Sequence, residues 1–139
     1  MLHYTASTTI NAKPETIWAI ITDAEHYPEW DPSAIRIEGD IAAGETVTAY
    51  TKLAPDRAFP AKVSTYQPNS KMVWSSGMPF GLFKGVRTFL LTPKGDGVTE
   101  FTLSEEFSGF LLPLFKGNIP DMTETFQHFV AGLKARAEG

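Results

Sequence analysis

Asp121-Met122-Thr123-Glu124-Thr125-Phe126-Gln127-His128-Phe129-Val130-Ala131-Gly132-Leu133-Lys134-Ala135-Arg136-Ala137-Glu138 decides how the rest of the chain is arranged. Apolar side chains recur at Met122, Phe126, Phe129, Val130, Leu133 and Ala137, on one side of an α-helix. At 1.5 Å per residue the helix is roughly 27 Å long, enough to cross a small domain. Nearly everything before it reads as β-strand, and a helix with an apolar stripe buries that stripe against a sheet. The expected class is therefore α+β.

The chain has 139 residues, 42% of them apolar and 20% charged, the profile of one globular domain spanning 1–139 with a substantial core. A net charge of -4 with scattered Lys and Arg argues against a nucleic-acid partner, which needs clustered cations. Cysteine is absent, which excludes a disulfide framework, a thiol nucleophile and a thiolate metal site. The start, Met1-Leu2-His3-Tyr4-Thr5, lacks the charge and apolar run of a signal peptide. No apolar run approaches the ~20 residues of a membrane span. The expected compartment is cytoplasmic.

Outward from the helix, Leu2–Asn11 alternates and is rich in Thr and Ile, as a first strand is. Ala12-Lys13-Pro14-Glu15 then changes the period, with proline and an acid at a helix start. Ile17, Trp18, Ile20 and Ile21 give a short helix ending near Asp23, and a second turn of helix covers Ala24 to Tyr27. Tyr27-Pro28-Glu29-Trp30-Asp31-Pro32 is a structured corner, because each proline biases its predecessor away from helix. Trp30 plugs one end of the core there, with ligand contact as the alternative role.

From residue 34 the period is two. The spacing predicts strands at Ala34–Ile41, Glu45–Leu53, Ala58–Gln67, Lys71–Ser76, Val86–Thr92 and Val98–Phe107. Ala42-Ala43-Gly44, Ala54-Pro55-Asp56, Pro68-Asn69-Ser70 and Lys94-Gly95-Asp96-Gly97 are the turns between them. Sequential strands with short connections make an antiparallel meander. Gly77-Met78-Pro79-Phe80-Gly81-Leu82-Phe83-Lys84-Gly85 interrupts it. Its large apolar residues are expected to fold over something, either as the lip of a pocket or as a loop packed on the core. Pro113 is compatible with a short helical piece, and Pro120 either kinks one long helix or begins the final one.

The order strand, two short helices, six strands, long helix resembles the START-related, or SRPBCC, superfamily. Its members include polyketide cyclases and the major birch-pollen allergen. The stretches that carry the resemblance are Ala12-Lys13-Pro14-Glu15-Thr16-Ile17-Trp18, Tyr27-Pro28-Glu29-Trp30-Asp31-Pro32, Glu105-Glu106-Phe107-Ser108-Gly109-Phe110-Leu111-Leu112-Pro113 and Leu133-Lys134-Ala135-Arg136-Ala137-Glu138. The nearest likeness is to bacterial SRPBCC domain-containing proteins. The resemblance implies a helix-grip fold: a curved antiparallel sheet of about seven strands wrapped around the long C-terminal helix. Two short helices then lie between strands 1 and 2. It also implies a ligand in the space between sheet and helix. Function stays open, because the superfamily includes carriers, receptors, cyclases and chaperone co-factors.

Strand parity then nominates the inward residues. Phe101, Leu103, Glu105 and Phe107 share a face, which makes Glu105 an inward carboxylate. Arg87, Phe89 and Leu91 share a face on the preceding strand. A short turn after Pro93 brings Arg87 opposite Glu105 or one diagonal step away. Two charges on an apolar face are expensive unless paired, so an Arg87–Glu105 ion pair is expected on the concave side. It serves either as a structural bridge or as a polar anchor for a ligand. Similar family members often carry histidine where Arg87 stands. Met72, Trp74 and Ser76 share the inner face of their strand, and Trp74 lines or fills the interior. The expected ligand-facing set is therefore Trp74, Arg87, Phe89, Phe101, Leu103 and Glu105 from the sheet, with Phe126, Phe129 and Val130 from the helix.

Catalytic signatures are absent: no nucleophile elbow, no Walker-type loop, no dinucleotide-binding glycine pattern. His3, His26 and His128 have no metal-binding spacing, so neither a metal nor another cofactor is expected. Glu105 and His128 are weak candidates for proton transfer. A carboxylate tied to Arg87 makes a poor general acid, and His128 sits on the flank of the helix stripe. The leading reading is binding of a small hydrophobic molecule, lipid- or polyketide-like. A cyclase or dehydratase-like enzyme using the same cavity is the alternative, and a chaperone-accessory or protein-interaction domain is the third. The partners expected are a small hydrophobic molecule, no nucleic acid and no membrane span, with a homodimer left open.

Overall fold

The computed structural model describes residues 2–115, 117, 119 and 121–139, the side chain of Phe115 excepted. Strands β1 (Leu2–Ile10), β2 (Ala34–Glu38), β3 (Thr46–Thr51), β4 (Ala54–Gln67), β5 (Lys71–Met78), β6 (Phe83–Gly95) and β7 (Val98–Ser108) form one sheet. Its order is β1-β7-β6-β5-β4-β3-β2 and every pairing is antiparallel. Six strands follow one another as a meander, and β1 closes the far edge against β7. The sheet curls into a half-barrel around a C-terminal helix, the expected helix-grip arrangement.

Helix α1 (Pro14–Ile21) starts at the expected proline, with Glu15 in its first turn. Thr22 ends it, donating its hydroxyl to Trp18 O at 2.7 Å. A 3₁₀ segment, Ala24–Glu29, follows and runs two residues further than expected, through Pro28. Its fixed φ suits a tight turn of that kind. The short helix α2 (Leu112–Phe115) precedes the main helix α3 (Thr123–Glu138). The role expected for Pro120 lies outside the described residues.

Helix α3 packs on β1, β7 and α1. Phe126, Phe129, Val130 and Leu133 of the apolar stripe are buried, and Met122 and Ala137 pack partly buried at its ends. Full burial of such a side chain contributes about 1.5–3 kcal/mol. Gly132 lets the helix touch the corner: a Cβ there would lie 1.9 Å from Trp30 O. At the helix end, Lys134 Nζ donates to Thr9 O at 2.6 Å and to Glu138 at 2.7 Å. Asn11 N donates to the same Glu138 carboxylate at 2.8 Å, so the last turn is tied to the end of β1.

Two local readings are corrected. Ala54-Pro55-Asp56 is not a turn: Thr51 pairs with Ala54, and Lys52-Leu53 turns the chain instead. Lys52 N reaches back to Ser33 O at 2.9 Å, which holds that turn against the neighbouring strand end. In the glycine-rich stretch at 77–85 Phe80 folds over nothing either, while Phe83 stacks on Phe107. β5 and β6 run into it, leaving a 3₁₀ turn at Pro79–Gly81 with Phe80 93% exposed. The Phe80 side chain projects from that turn into solvent.

Candidate functional site

Alternation along β7 is unbroken, with Thr99, Phe101, Leu103, Glu105 and Phe107 all buried on the concave face. No bulge falls between Lys84 and Pro93 of β6, so the register there follows the pleat. Arg87 stands directly opposite Glu105. Its Nε donates to Glu105 Oε1 at 2.7 Å, the expected ion pair. Trp74 on β5 stands opposite Arg87, and Tyr4 on β1 stands opposite Glu105. Trp74, Arg87, Glu105 and Tyr4 thus form a row across four strands.

That row is a boundary on the concave face. One row further in are Met72, Phe89, Leu103 and Ala6, all under the helix and at most 4% exposed. One row further out are Ser76, Gly85 and Phe107. A Cβ added to Gly85 would meet Ser76 Oγ at 3.2 Å and Phe107 Cε1 at 3.3 Å, so the three share the concave face. Ser76 is nevertheless exposed. Beyond the row Gly85 and Phe107 stay buried, with Phe83 stacked on Phe107 at 6.0 Å, and the concave face opens at Ser76.

Phe126 covers the row from above. Its ring lies 5.3 Å from the Arg87 guanidinium and 6.2 Å from Tyr4. Such a cation–π contact is worth roughly 0.5–2 kcal/mol. Burial works against the charge of Arg87, but the Glu105 carboxylate, joined by Asp31 and Tyr27, outweighs it and raises the guanidinium pKa. Arg87 keeps 28% of its side chain accessible and Glu105 11%, so the cation is the member of the pair open to an incoming molecule.

Sequence reasoning did not single out three neighbouring polar features. Asp31 is buried in the corner, and burial pushes its carboxyl pKa up. Hydrogen bonds from Ser33 N and Oγ to Oδ1 and the field of Arg87 oppose that shift without cancelling it. Tyr27 is fully enclosed and donates to Ile21 O at 2.5 Å. Burial, then Asp31, pushes its phenol pKa well above the usual value. The third feature is a pair of indole groups: Trp30 Nε1 and Trp74 Nε1 are buried and have no hydrogen-bond partner among the described residues. A buried donor left unpaired costs about 1–3 kcal/mol. Aromatic patterning shows where a tryptophan falls and not what its N–H meets.

Of the residues expected to face a ligand, the structure brings Trp74, Arg87, Glu105 and Phe126 together at the edge of the open face. Phe89, Phe101, Leu103, Phe129 and Val130 lie in the core, to which Trp74 and Phe126 also belong. Phe129 meets Trp30 at 4.9 Å and Phe89 at 6.2 Å, and stacks on Phe101 at 6.1 Å. Those rings fill the space between helix and sheet where the cavity was expected. Two clefts lie on the outside, of about 390 and 220 Å³. The first is lined by Thr22, Glu25 and Asp40, the second by Ala19, His26, Trp30 and Arg136, and neither includes a residue of the row. His128 points to solvent beside Glu124 and is not brought to the Arg87–Glu105 pair.

The whole of this arrangement sits inside a region with relatives. Residues 1–138 match the family model described as polyketide cyclase/dehydrase and lipid transport. No curated protein matches the chain. Among solved structures, the Zhui aromatase/cyclase from Streptomyces sp. R1128 superposes with a TM-score of 0.76 at 11% identity. That match covers 99% of this chain and 93% of the other. A START superfamily protein from Mycobacterium smegmatis gives 0.72 at 19% identity, over 98% and 97% of the two chains. The chain spans 47% of the length of the di-domain aromatase/cyclase BexL from the BE-7585A biosynthetic pathway, with a TM-score of 0.70 and 9% identity. At these identities the likeness concerns the fold.

Proposed function

The chain belongs to the polyketide cyclase/dehydrase and lipid transport family, and from that membership we propose that it binds a small, mostly apolar molecule through an anionic oxygen head group held by Arg87. One observation carries the reading: the row Trp74–Arg87–Glu105 at the edge of the open concave face. A guanidinium has more donors than the single Glu105 bond uses. Trp74 contributes a buried N–H in search of an acceptor. A carboxylate or enolate oxygen seated between them satisfies both donors.

The apolar remainder of the molecule lies outward past Arg87 toward Ser76 and Phe83, where the concave face opens. Gly85 and Phe107 form the buried floor beneath it, where any side chain at position 85 would press on Ser76 and Phe107. Glu105 acts as the positioning group that fixes the guanidinium plane. The cyclase-like alternative uses the same row but needs a group able to exchange a proton. Glu105 is tied to Arg87, which favours binding over catalysis as the row's task.

The test is a titration with a long-chain fatty acid and with its methyl ester, alongside native mass spectrometry of the freshly purified protein. The expected result is a preference for the acid of roughly tenfold or more, lost in Arg87→Met. An adduct of a few hundred daltons that disappears on denaturation would identify the natural cargo. Equal binding of acid and ester, or an undiminished preference in Arg87→Met, rules the head-group reading out.

A further inference from the structure

Two turns meet at the end of the sheet beyond the open face: the β5–β6 turn around Phe80 and the β7–α2 turn around Phe110. Phe80 is 93% exposed, Phe110 86% and Leu114 70%, with Leu82 half-exposed between them. The side chains are presented on a fastened base. Leu111 N donates to Leu82 O at 2.7 Å. Gly109 passes so close to the other turn that a Cβ on it would lie 2.6 Å from Leu82 O and 2.8 Å from Gly81 O, and its φ of +116° admits no ordinary side chain. Phe80 itself is held at φ 62°, ψ 24°, a left-handed conformation that a bulky residue adopts only against a steric cost. A bulky ring held outward in that way is a feature of the fold, and water is a poor partner for it.

Charge selects the partner. The protein carries 16 acidic and 12 basic residues, yet neither 77–85 nor 108–115 contains an Asp or Glu, and Lys84 stands at the base of the first turn. Glu106, on the opposite face of β7, is the nearest carboxylate along that strand. An acidic protein thus ends in a tip of convex aromatic and aliphatic knobs backed by a lysine. A flat or concave protein partner would be met by only a few projecting side chains, far less than the area of a stable protein interface. A lipid interface accepts projecting rings one at a time, and anionic head groups accept the lysine.

We propose that the tip of Phe80, Leu82, Phe110 and Leu114, with Lys84 behind it, docks on the surface of an anionic lipid bilayer. The rings enter the boundary between head groups and acyl chains while the sheet stays in water. In that pose the open end of the concave face is turned toward the membrane. Docking does not depend on the ligand reading, because the tip residues are separate from the Trp74–Arg87–Glu105 row.

The test is vesicle flotation, with phosphatidylcholine vesicles containing phosphatidylglycerol against phosphatidylcholine alone. The variant is Phe80→Asn with Phe110→Ser: asparagine tolerates positive φ, and both positions are exposed, so the fold is kept. Wild type is expected to float with the anionic vesicles and the double variant to lose roughly tenfold or more of that partition. Lys84→Glu is expected to remove the preference for anionic lipid. The fatty-acid titration of the double variant should be unchanged, which separates this proposal from the binding reading. Wild type that fails to float, or a double variant that floats as well as wild type, overturns it. A concentration-dependent dimer abolished by the same substitutions, without flotation, overturns it in favour of self-association.

Discussion

Arg87 and Glu105 face each other across β6 and β7 with 2.7 Å between Nε and Oε1, at the line where the helix stops covering the sheet. Breaking a buried pair by removing one partner strands the other charge, at a cost of about 3–5 kcal/mol. Partial access of water to Arg87 reduces that here, so Arg87→Met and Glu105→Gln are each expected to cost about 2–3 kcal/mol. The double variant removes both charges and should cost at least ~1 kcal/mol less than the sum. Urea unfolding of the four proteins measures this, and strict additivity would mean the two side chains do not interact.

Gly132 offers a test in which two effects oppose each other. Alanine in a helix interior gains about 1 kcal/mol over glycine in propensity. At this position its Cβ would sit 1.9 Å from Trp30 O and 3.1 Å from Trp30 C, both backbone atoms that no rotamer change can move aside. Overpacking of that kind costs about 1–3 kcal/mol, and the contact is at the severe end. Gly132→Ala is therefore expected to lower stability by about 1–2 kcal/mol net. A rise in the thermal midpoint would show that the helix and the corner separate freely.

The pairing that makes the site was legible because it depends on period two. From Thr99 to Phe107 the alternation has no bulge, so one apolar parity placed Glu105 inward and the hairpin register placed Arg87 opposite it. Helix spacing gave the stripe from Phe126 to Leu133 by the same kind of local rule. The filled space beneath the helix was not legible. It depends on whether the volumes of Phe89, Phe101, Phe129 and Trp30 meet, and those residues come from four distant parts of the chain. Phe80 was misread for the opposite reason: apolar composition signals burial only where the fold brings a surface to bury against. At Ala54-Pro55-Asp56 strong turn propensity lost to the pairing of Thr51 with Ala54.

Asp31 gives the fold a pH dependence whose sign can be worked out. Burial raises its carboxyl pKa above the unfolded value, so the folded state holds the proton more tightly. The stability it contributes is fully present below the unfolded pKa and is lost as pH rises through the folded one. Asp31→Asn keeps an oxygen for the Ser33 N–H and hydroxyl but has no charge to bury. The variant is expected to gain on wild type as pH rises from 4 toward 7, by about 1 kcal/mol or less. Urea midpoints at the two pH values measure it. A variant less stable than wild type at pH 7 would mean that the attraction of Arg87 outweighs the burial.

Trp74 separates the costs of folding from those of binding. Its indole N–H is buried without a partner among the described residues, while its ring packs on Phe89 at 4.9 Å. Trp74→Phe removes the stranded donor, relieving about 1–3 kcal/mol, and loses part of the ring volume, at a similar cost. The two offset, so stability should change by no more than ~1 kcal/mol. Binding behaves differently, because the donor is satisfied when an acceptor oxygen arrives. The variant should bind the fatty acid roughly tenfold more weakly while keeping its affinity for the methyl ester within about threefold. If stability instead falls by ~3 kcal/mol or more and the acid binds undiminished, the indole N–H is part of the core's own bonding and not of the site.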